Sequence, residues 1–168
     1  LHGPACFMMN TGYTLPGFGD PAGELPTRIY PTEALRSVVS QCDYVVITLP
    51  LTPRTKHLFD ESLFQAMKPN AYVINVGRGP VIDERALVKA LQRGWIAGAG
   101  LDVFEKEPLL DTRDPLLTLG NAICTPHIGY VTRDEYELQF SDIFDQIVAY
   151  AAGAPTNVVN PEVMAKRR

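Results

Sequence analysis

The sequence predicts an α/β fold built on a parallel sheet, and three observations point to it. Short apolar runs recur at 43–49, 71–76, 97–103 and 122–125, β-branched in the first two and built of small residues in the third. Segments with helical spacing or helix-capping residues lie between them, and strands that alternate with helices form parallel sheets. The run 71–76, Ala-Tyr-Val-Ile-Asn-Val, is nearly continuous in apolar residues. Such a run is expected to be a strand buried on both faces.

Composition fits that class. The chain has 168 residues, 46% hydrophobic and 20% charged, enough for one domain with a core. A net charge of −4 argues against a nucleic-acid partner. No apolar run approaches the roughly 20 residues of a membrane helix, so no membrane partner is expected. The opening Leu-His-Gly-Pro-Ala-Cys-Phe-Met-Met lacks the charged leader of a signal peptide. Cys6, Cys42 and Cys124 are odd in number and far apart, with no metal-type spacing. A reducing, cytoplasmic setting without a metal site is expected. The chain opens on Leu1 rather than Met, as a fragment or processed chain would.

Residues 1–27 are rich in glycine and proline and read as an irregular lead-in. Within them, Gly17-Phe18-Gly19-Asp20-Pro21-Ala22 fits G-x-G-x-x-A. A dinucleotide fingerprint follows a strand and opens a helix. Here Leu15-Pro16 precedes it, and Pro21, Gly23 and Pro26 interrupt any helix after it, so it is not expected to hold phosphate.

A domain is expected over 28–154. Ile29-Tyr30 is a candidate short strand. Thr32 is placed as the cap of a helix from Glu33 to Gln41. Strand 43–49 ends at Pro50. Asp60 caps a short helix to Met67. The strand 71–76 stops at the turn Gly77-Arg78-Gly79-Pro80. Asp83 then caps a helix to about Arg93, with Gly94 as its stop. The third strand, 97–103, carries glycines that suggest close packing or close ligand approach. A helical turn is expected at Pro115 to Leu119, and a fourth strand at 122–125. Thr132 and Glu135 form a predicted capping box, with Val131 and Tyr136 as a staple, for a last helix. Tyr136, Phe140, Ile143, Phe144, Ile147 and Val148 recur along it at helical spacing, as core or interdomain packing. Gly153 and Pro155 end it, and 155–168 is expected to be an extended tail.

Polar residues gather just past the strands, where open parallel sheets bind ligands. Arg78 follows the second strand, Asp102, Glu105 and Glu107 the third, and His127 the fourth. A histidine can move a proton near neutral pH. A carboxylate beside it would favour the imidazolium and hold the ring. An arginine can grip a carboxylate with two parallel hydrogen bonds and polarise a neighbouring carbonyl. Together these residue types suit a 2-oxo or 2-hydroxy acid, with hydride moving to or from a nicotinamide.

Four stretches carry a resemblance: Leu-Pro-Leu-Thr-Pro (49–53), Met-Lys-Pro-Asn-Ala-Tyr-Val-Ile-Asn-Val-Gly-Arg-Gly (67–79), Gly-Leu-Asp-Val-Phe-Glu-Lys-Glu-Pro (100–108) and Thr-Pro-His-Ile-Gly (125–129). From about 29 to 160 the chain resembles the nucleotide-binding domain of the D-isomer-specific 2-hydroxyacid dehydrogenases, including their phosphoglycerate dehydrogenase-like branch. The resemblance implies a Rossmann-type sheet, truncated because the first βαβ half with its glycine fingerprint is missing or degraded. It implies Arg78 as the substrate-binding catalytic arginine, His127 as acid/base and Glu107 as its partner. Asp102 would bond the nicotinamide carboxamide. Leu49, Pro50 and Thr55 would line the adenosine side, with Val76, Gly77 and Gly129 also beside the cofactor. NAD is the implied cofactor, with NADP open, and a homodimer through this domain the implied assembly. His2 and His57 match no motif partner and are expected to have no role.

The substrate lobe that precedes this domain in the family has no counterpart here. That leaves three readings. One is an NAD(P)-dependent oxidoreductase or the C-terminal piece of one, with activity of the isolated chain left open. The second is an NAD-responsive protein-binding scaffold of the same fold, and the third a truncated remnant.

Overall fold

The computed structural model describes Asp20 and residues 23–166. The G-x-G-x-x-A stretch, apart from Asp20, and most of the predicted lead-in lie outside the described residues. Two compact units divide at residue 127: the first ends at His127 and the second begins at Ile128.

The first unit is a four-stranded parallel sheet in the order β1-β2-β3-β4. The strands are β1 (Tyr44–Ile47), β2 (Tyr72–Asn75), β3 (Gly98–Leu101) and β4 (Ala122–Cys124). Helix α1 (Leu35–Val39) precedes them; α2 (Glu61–Phe64), α3 (Glu84–Gln92) and α4 (Pro115–Thr118) connect successive strands. The predicted α/β class is what forms.

Two caps form as the sequence predicts. Asp60 accepts from the Leu63 amide, and Asp83 from the amides of Arg85 and Ala86. Gly94, in left-handed backbone at φ 66°, closes α3. Thr32 does not cap: it lies inside a short 3-10 turn, Thr32–Ala34, whose N-cap is Pro31 and makes no side-chain bond. Ile29-Tyr30 forms no strand, and β1 is an edge strand.

The second correction concerns burial. Connections between parallel strands are right-handed. A strictly sequential strand order therefore puts α2, α3 and α4 on one side of the sheet. Val73, Asn75, Ile47, Ala99 and Leu101 face them and are buried with Phe59, Phe64, Ile82 and Leu87. The other side is open: Tyr44 is 69% exposed, Val46 59% and Ile123 74%. So β2 buries Val73 and Asn75 on one face and leaves Tyr72 exposed and Ile74 half-buried on the other, instead of being buried on both. Covering the second face takes a reversal of strand order, which a complete doubly wound sheet has and these four strands lack.

That open face explains one glycine. Tyr72 stacks on Tyr44, with ring centroids 5.7 Å apart, and its ring lies over Gly98. A Cβ on Gly98 would meet the Tyr72 ring at 2.8 Å and the Asn121 carbonyl oxygen at 2.9 Å. The close-packing reading of the β3 glycines holds at this position.

The second unit contains α5 (Arg133–Ala151) and, in place of the expected extended tail, a 3-10 segment, Pro161–Lys166. Thr132 caps α5 by accepting from the Glu135 amide at 3.1 Å. Glu135 does not return the bond; its carboxylate accepts from Gln139 instead, so the capping box is half formed. No residue of α5 is buried, and its apolar stripe therefore forms no core. Gly153 ends the helix at φ 76°. Among the described residues no helix is long and apolar enough to cross a membrane.

Candidate active site

Strand register decides which residues can meet. Ile47 pairs with Asn75, Asn75 with Leu101, and Leu101 with Cys124. All four strands thus end at one level, and everything just past them emerges along one edge. Leu49 and Pro50, Val76 to Arg78, Asp102 to Glu107, and Thr125 to His127 all fall there.

Asn75, the last residue of β2, frames the turn that presents Arg78. It is 1% exposed. Its Oδ1 accepts from the Gly77 amide at 3.1 Å, and its Nδ2 donates to the Arg78 carbonyl at 3.1 Å. One side chain thus satisfies both backbone groups of a turn inserted in a packed region. By sequence alone Asn75 is only part of a strand. The signal that could have found it is a polar residue closing an apolar run just before Gly-x-Gly. Asn75→Leu should cost about 1–3 kcal/mol, because it leaves the buried Gly77 N–H without a partner, while the Arg78 carbonyl keeps the Val81 amide. Urea unfolding of the 168-residue chain checks this; an unchanged midpoint would show the turn holding itself.

Gly77 lies against the backbone just past β1: a Cβ there would approach the Leu49 carbonyl oxygen to 2.7 Å. Arg78 is exposed, in extended backbone, and its Nη1 donates to the Gly77 carbonyl at 2.7 Å. Among the described residues that is the side chain's one hydrogen bond. It holds the guanidinium beside its own loop and leaves the remaining donors of the fork for a ligand.

Glu107 and His127 meet. His127 Nδ1 is 2.7 Å from Glu107 Oε2, and Glu107 Oε1 accepts from the Phe104 amide at 2.9 Å. Burial pushes the Glu107 carboxyl up. The Phe104 amide, the His127 ring and the nearby charge of Arg78 outweigh it, so the group lies below its ordinary range. An ionised carboxylate only accepts, so Nδ1 carries the shared proton. Nε2 is then the nitrogen that can exchange a proton with a substrate. His127 sits in left-handed backbone at φ 57°, uncommon for a non-glycine residue and enriched at functional sites.

Asp102 is 4% exposed, and its Oδ1 accepts from the Thr125 hydroxyl at 2.5 Å. A buried carboxylate tied to the base of the β4 loop is a fixed acceptor at the strand edge. Thr125 is a second residue that sequence reasoning does not single out. Thr55 closes its own loop: its hydroxyl donates to the Pro50 carbonyl at 2.7 Å, and the Thr52 amide donates to it. Gly129 belongs to the second unit.

A cleft of about 530 Å³ lies beside Glu107 and His127, walled by Phe104, Pro108, Leu109, Leu117 and Cys124. Burial, helped by the charges of Asp114 and Glu84, pushes the Cys124 thiol up, which leaves it a weak nucleophile. Among the described residues no group of three or more His, Cys, Asp or Glu side chains is placed to hold a metal ion.

A parallel sheet with an arginine, a histidine–carboxylate pair and a buried aspartate at the carboxyl edge of its strands defines an α/β domain of the dinucleotide-binding class. Comparison with known proteins makes the family specific. The family model described as "D-isomer specific 2-hydroxyacid dehydrogenase, NAD binding domain" matches residues 18–129, and the chain belongs to that family. It is 46% identical over 132 residues to a glyoxylate/hydroxypyruvate reductase B of Enterobacter sp. (strain 638), covering 78% of this chain and 40% of the relative. It is 41% identical over 135 residues to a glyoxylate reductase of Pyrococcus furiosus, covering 80% and 40%. Among solved structures it is similar to a D-isomer specific 2-hydroxyacid dehydrogenase from Xanthobacter autotrophicus Py2 in complex with NADPH and MES. That match has 39% identity and a TM-score of 0.60, covering 79% of this chain and 54% of that one. The NAD-complexed form of a family member from Lactobacillus delbrueckii ssp. bulgaricus gives 32% identity and a TM-score of 0.62, covering 74% and 42%. The chain spans about 40% of the length of the curated relatives it matches.

The residues present suit the nicotinamide end of a bound cofactor. Asp102 is a buried, oriented acceptor, and Val76, 41% exposed, offers apolar surface beside Gly77. The G-x-G-x-x-A stretch, where a pyrophosphate loop would be sought, is outside the described residues apart from Asp20.

Proposed function

We propose that this chain is the catalytic-residue-bearing part of an NAD(P)-dependent oxidoreductase that interconverts a D-2-hydroxy acid and a 2-oxo acid. The single observation that carries the proposal is the 2.7 Å contact between His127 Nδ1 and Glu107 Oε2, with Arg78 close enough to bias that carboxylate. A binding scaffold has no use for an oriented acid/base pair.

Bound cofactor, NAD(H) or NADP(H), would supply or accept the hydride. Leu49, Pro50, Thr55, Val76, Gly77 and Asp102 would hold it, Asp102 through the carboxamide. Arg78 would take the substrate carboxylate bidentately and draw charge toward the neighbouring carbonyl oxygen. His127 would give its Nε2 proton to that oxygen in reduction and take it back in oxidation. Glu107 would keep the ring in one tautomer and stabilise the imidazolium formed in oxidation. The reading includes a homodimer through this domain, for which the exposed Tyr44, Val46 and Tyr72 offer apolar surface.

The test measures NADH- and NADPH-dependent reduction of glyoxylate and hydroxypyruvate, the acids in the relatives' names. The 168-residue protein is assayed as it is. Its residues 29–160 are also assayed in place of the matching stretch of a glyoxylate/hydroxypyruvate reductase B, a chimera in which the reductase supplies the remaining length. Reduction by the chimera is expected; a folded chimera that binds cofactor yet reduces neither acid would overturn the proposal.

A further inference from the structure

Glu107 has a near neighbour with a partner of its own. Glu105 Oε1 lies 3.1 Å from His57 Nε2, so one loop carries two histidine–carboxylate pairs. His57, like His127, sits in left-handed backbone, at φ 51°. Such a conformation disfavours a side chain and persists where the surroundings hold it. Both ends of His57 are held: its amide donates to the Pro80 carbonyl at 2.8 Å, and its ring meets Glu105.

The residues around this pair connect three strand-end loops. Phe59, two residues past His57, bridges to Ile82 beyond the Arg78 turn. Glu84 and Glu105 exchange bonds: the Glu84 amide donates to Glu105 Oε1 at 3.2 Å, and the Glu105 amide donates to the Glu84 carboxylate. Burial, then the neighbouring charges of Glu105, Asp114 and Glu107, push the Glu84 carboxyl up against that one favourable bond. A cation or a ring donor near these carboxylates relieves the crowding, and His57 is placed as one. Next to Glu105, the Phe104 amide is the group that fixes Glu107 Oε1. The path from His57 to His127 thus runs through Glu105, the Phe104 peptide and Glu107 by direct contacts.

We propose that His57 is a positioning residue for the Glu107–His127 pair, acting through Glu105 to hold the turn from which Glu107 reaches His127. As a statement about catalysis this rests on the functional reading above; as a statement about the His127 ring it does not. His57 touches neither reacting atom. Its contribution is to keep the Glu107 carboxylate on Nδ1, since displacement of about 1 Å in a catalytic group costs up to about a hundredfold in rate.

Two variants separate this from simple fold support. His57→Gly accepts the left-handed backbone without strain and removes only the ring. Glu105→Gln keeps an oxygen for the His57 ring and the Glu84 amide, whereas Glu105→Ala keeps none. In the reductase chimera, His57→Gly and Glu105→Ala are expected to lower kcat about tenfold, with KM for cofactor within about twofold, and Glu105→Gln to recover most of the loss. The second readout needs no activity. In the 168-residue chain, with its three histidines, the ring nitrogen resonances of His127 report the tautomer. The parent should hold the proton on Nδ1, and both disruptive variants should show a mixture. A chimera inactive as parent would overturn the functional reading and leave the resonances to decide the inference. Unchanged His127 resonances, or an active chimera indifferent to both variants, would overturn the inference.

Discussion

His127→Ala in the reductase chimera should lower kcat by about 10²–10⁴-fold, or about 3–5 kcal/mol of transition-state stabilisation. The size follows from what the ring is held to do. The carbonyl oxygen of a 2-oxo acid gains negative charge as hydride arrives at carbon, and a proton delivered then removes it. Without Nε2 the oxygen depends on water and on the Arg78 guanidinium. Cofactor affinity should hardly move, because the nitrogen that acts is needed only while charge develops. Glu107→Gln should cost less than His127→Ala. The amide oxygen can still accept from Phe104 or from Nδ1, so orientation partly survives while the carboxylate's charge is lost. Rates of both variants under saturating glyoxylate check this order. A His127→Ala chimera that reduces glyoxylate at the parent rate would falsify the assignment of the proton to this ring.

Much of this site is legible in the sequence, because its chemistry is punctuated. Arg78, Glu107 and His127 each come after a short strand-forming run and stand next to Gly or Pro. A strand ended by a turn locates a residue at the sheet edge whatever the rest does. Asp60, Asp83 and Thr132 are legible as caps for the same local reason. The features that sequence reasoning misses depend on strand order and on contacts that exist only once the backbone has closed around them. Composition implies burial of β2 on both faces, but burial depends on strand order, which places all three connecting helices on one side. Thr32 has the right residue type for a cap, yet Pro31 before it already opens the 3-10 turn. Asn75 looks like an ordinary strand residue because its partners, Gly77 and Arg78, become partners only when the turn is closed. His57 matches no motif because its partner lies 48 residues away.

Gly79→Ala should be the most destabilising single-methyl change in the described residues of the first unit, at about 3 kcal/mol or more. A Cβ built there would stand 1.9 Å from both the carbon and the oxygen of the Phe104 carbonyl, and 2.6 Å from the Glu105 amide nitrogen. All three atoms are backbone. No rotamer change relieves the clash, so one loop must move away from the other. The loops concerned are those that bring Arg78 toward Glu107, with Glu105 bonded to Glu84 on the far side. Separating them should therefore weaken the fold and the site together. Two other glycines calibrate the result. Gly120 has nothing within 4 Å of a built Cβ and ordinary backbone, so Gly120→Ala should be close to neutral. Gly94 has equal space but φ +66°, so Gly94→Ala should cost about 1–2 kcal/mol from backbone strain alone. Urea unfolding of the three variants in the 168-residue chain should rank them Gly79, Gly94, Gly120. If Gly79→Ala unfolds with the Gly120 variant, the loops have room between them, and direct backbone contact does not set the spacing of Arg78 and Glu107. If it unfolds far earlier, a side chain at 79 is excluded by the same contact that keeps the arginine and the histidine–carboxylate pair within reach of one small substrate.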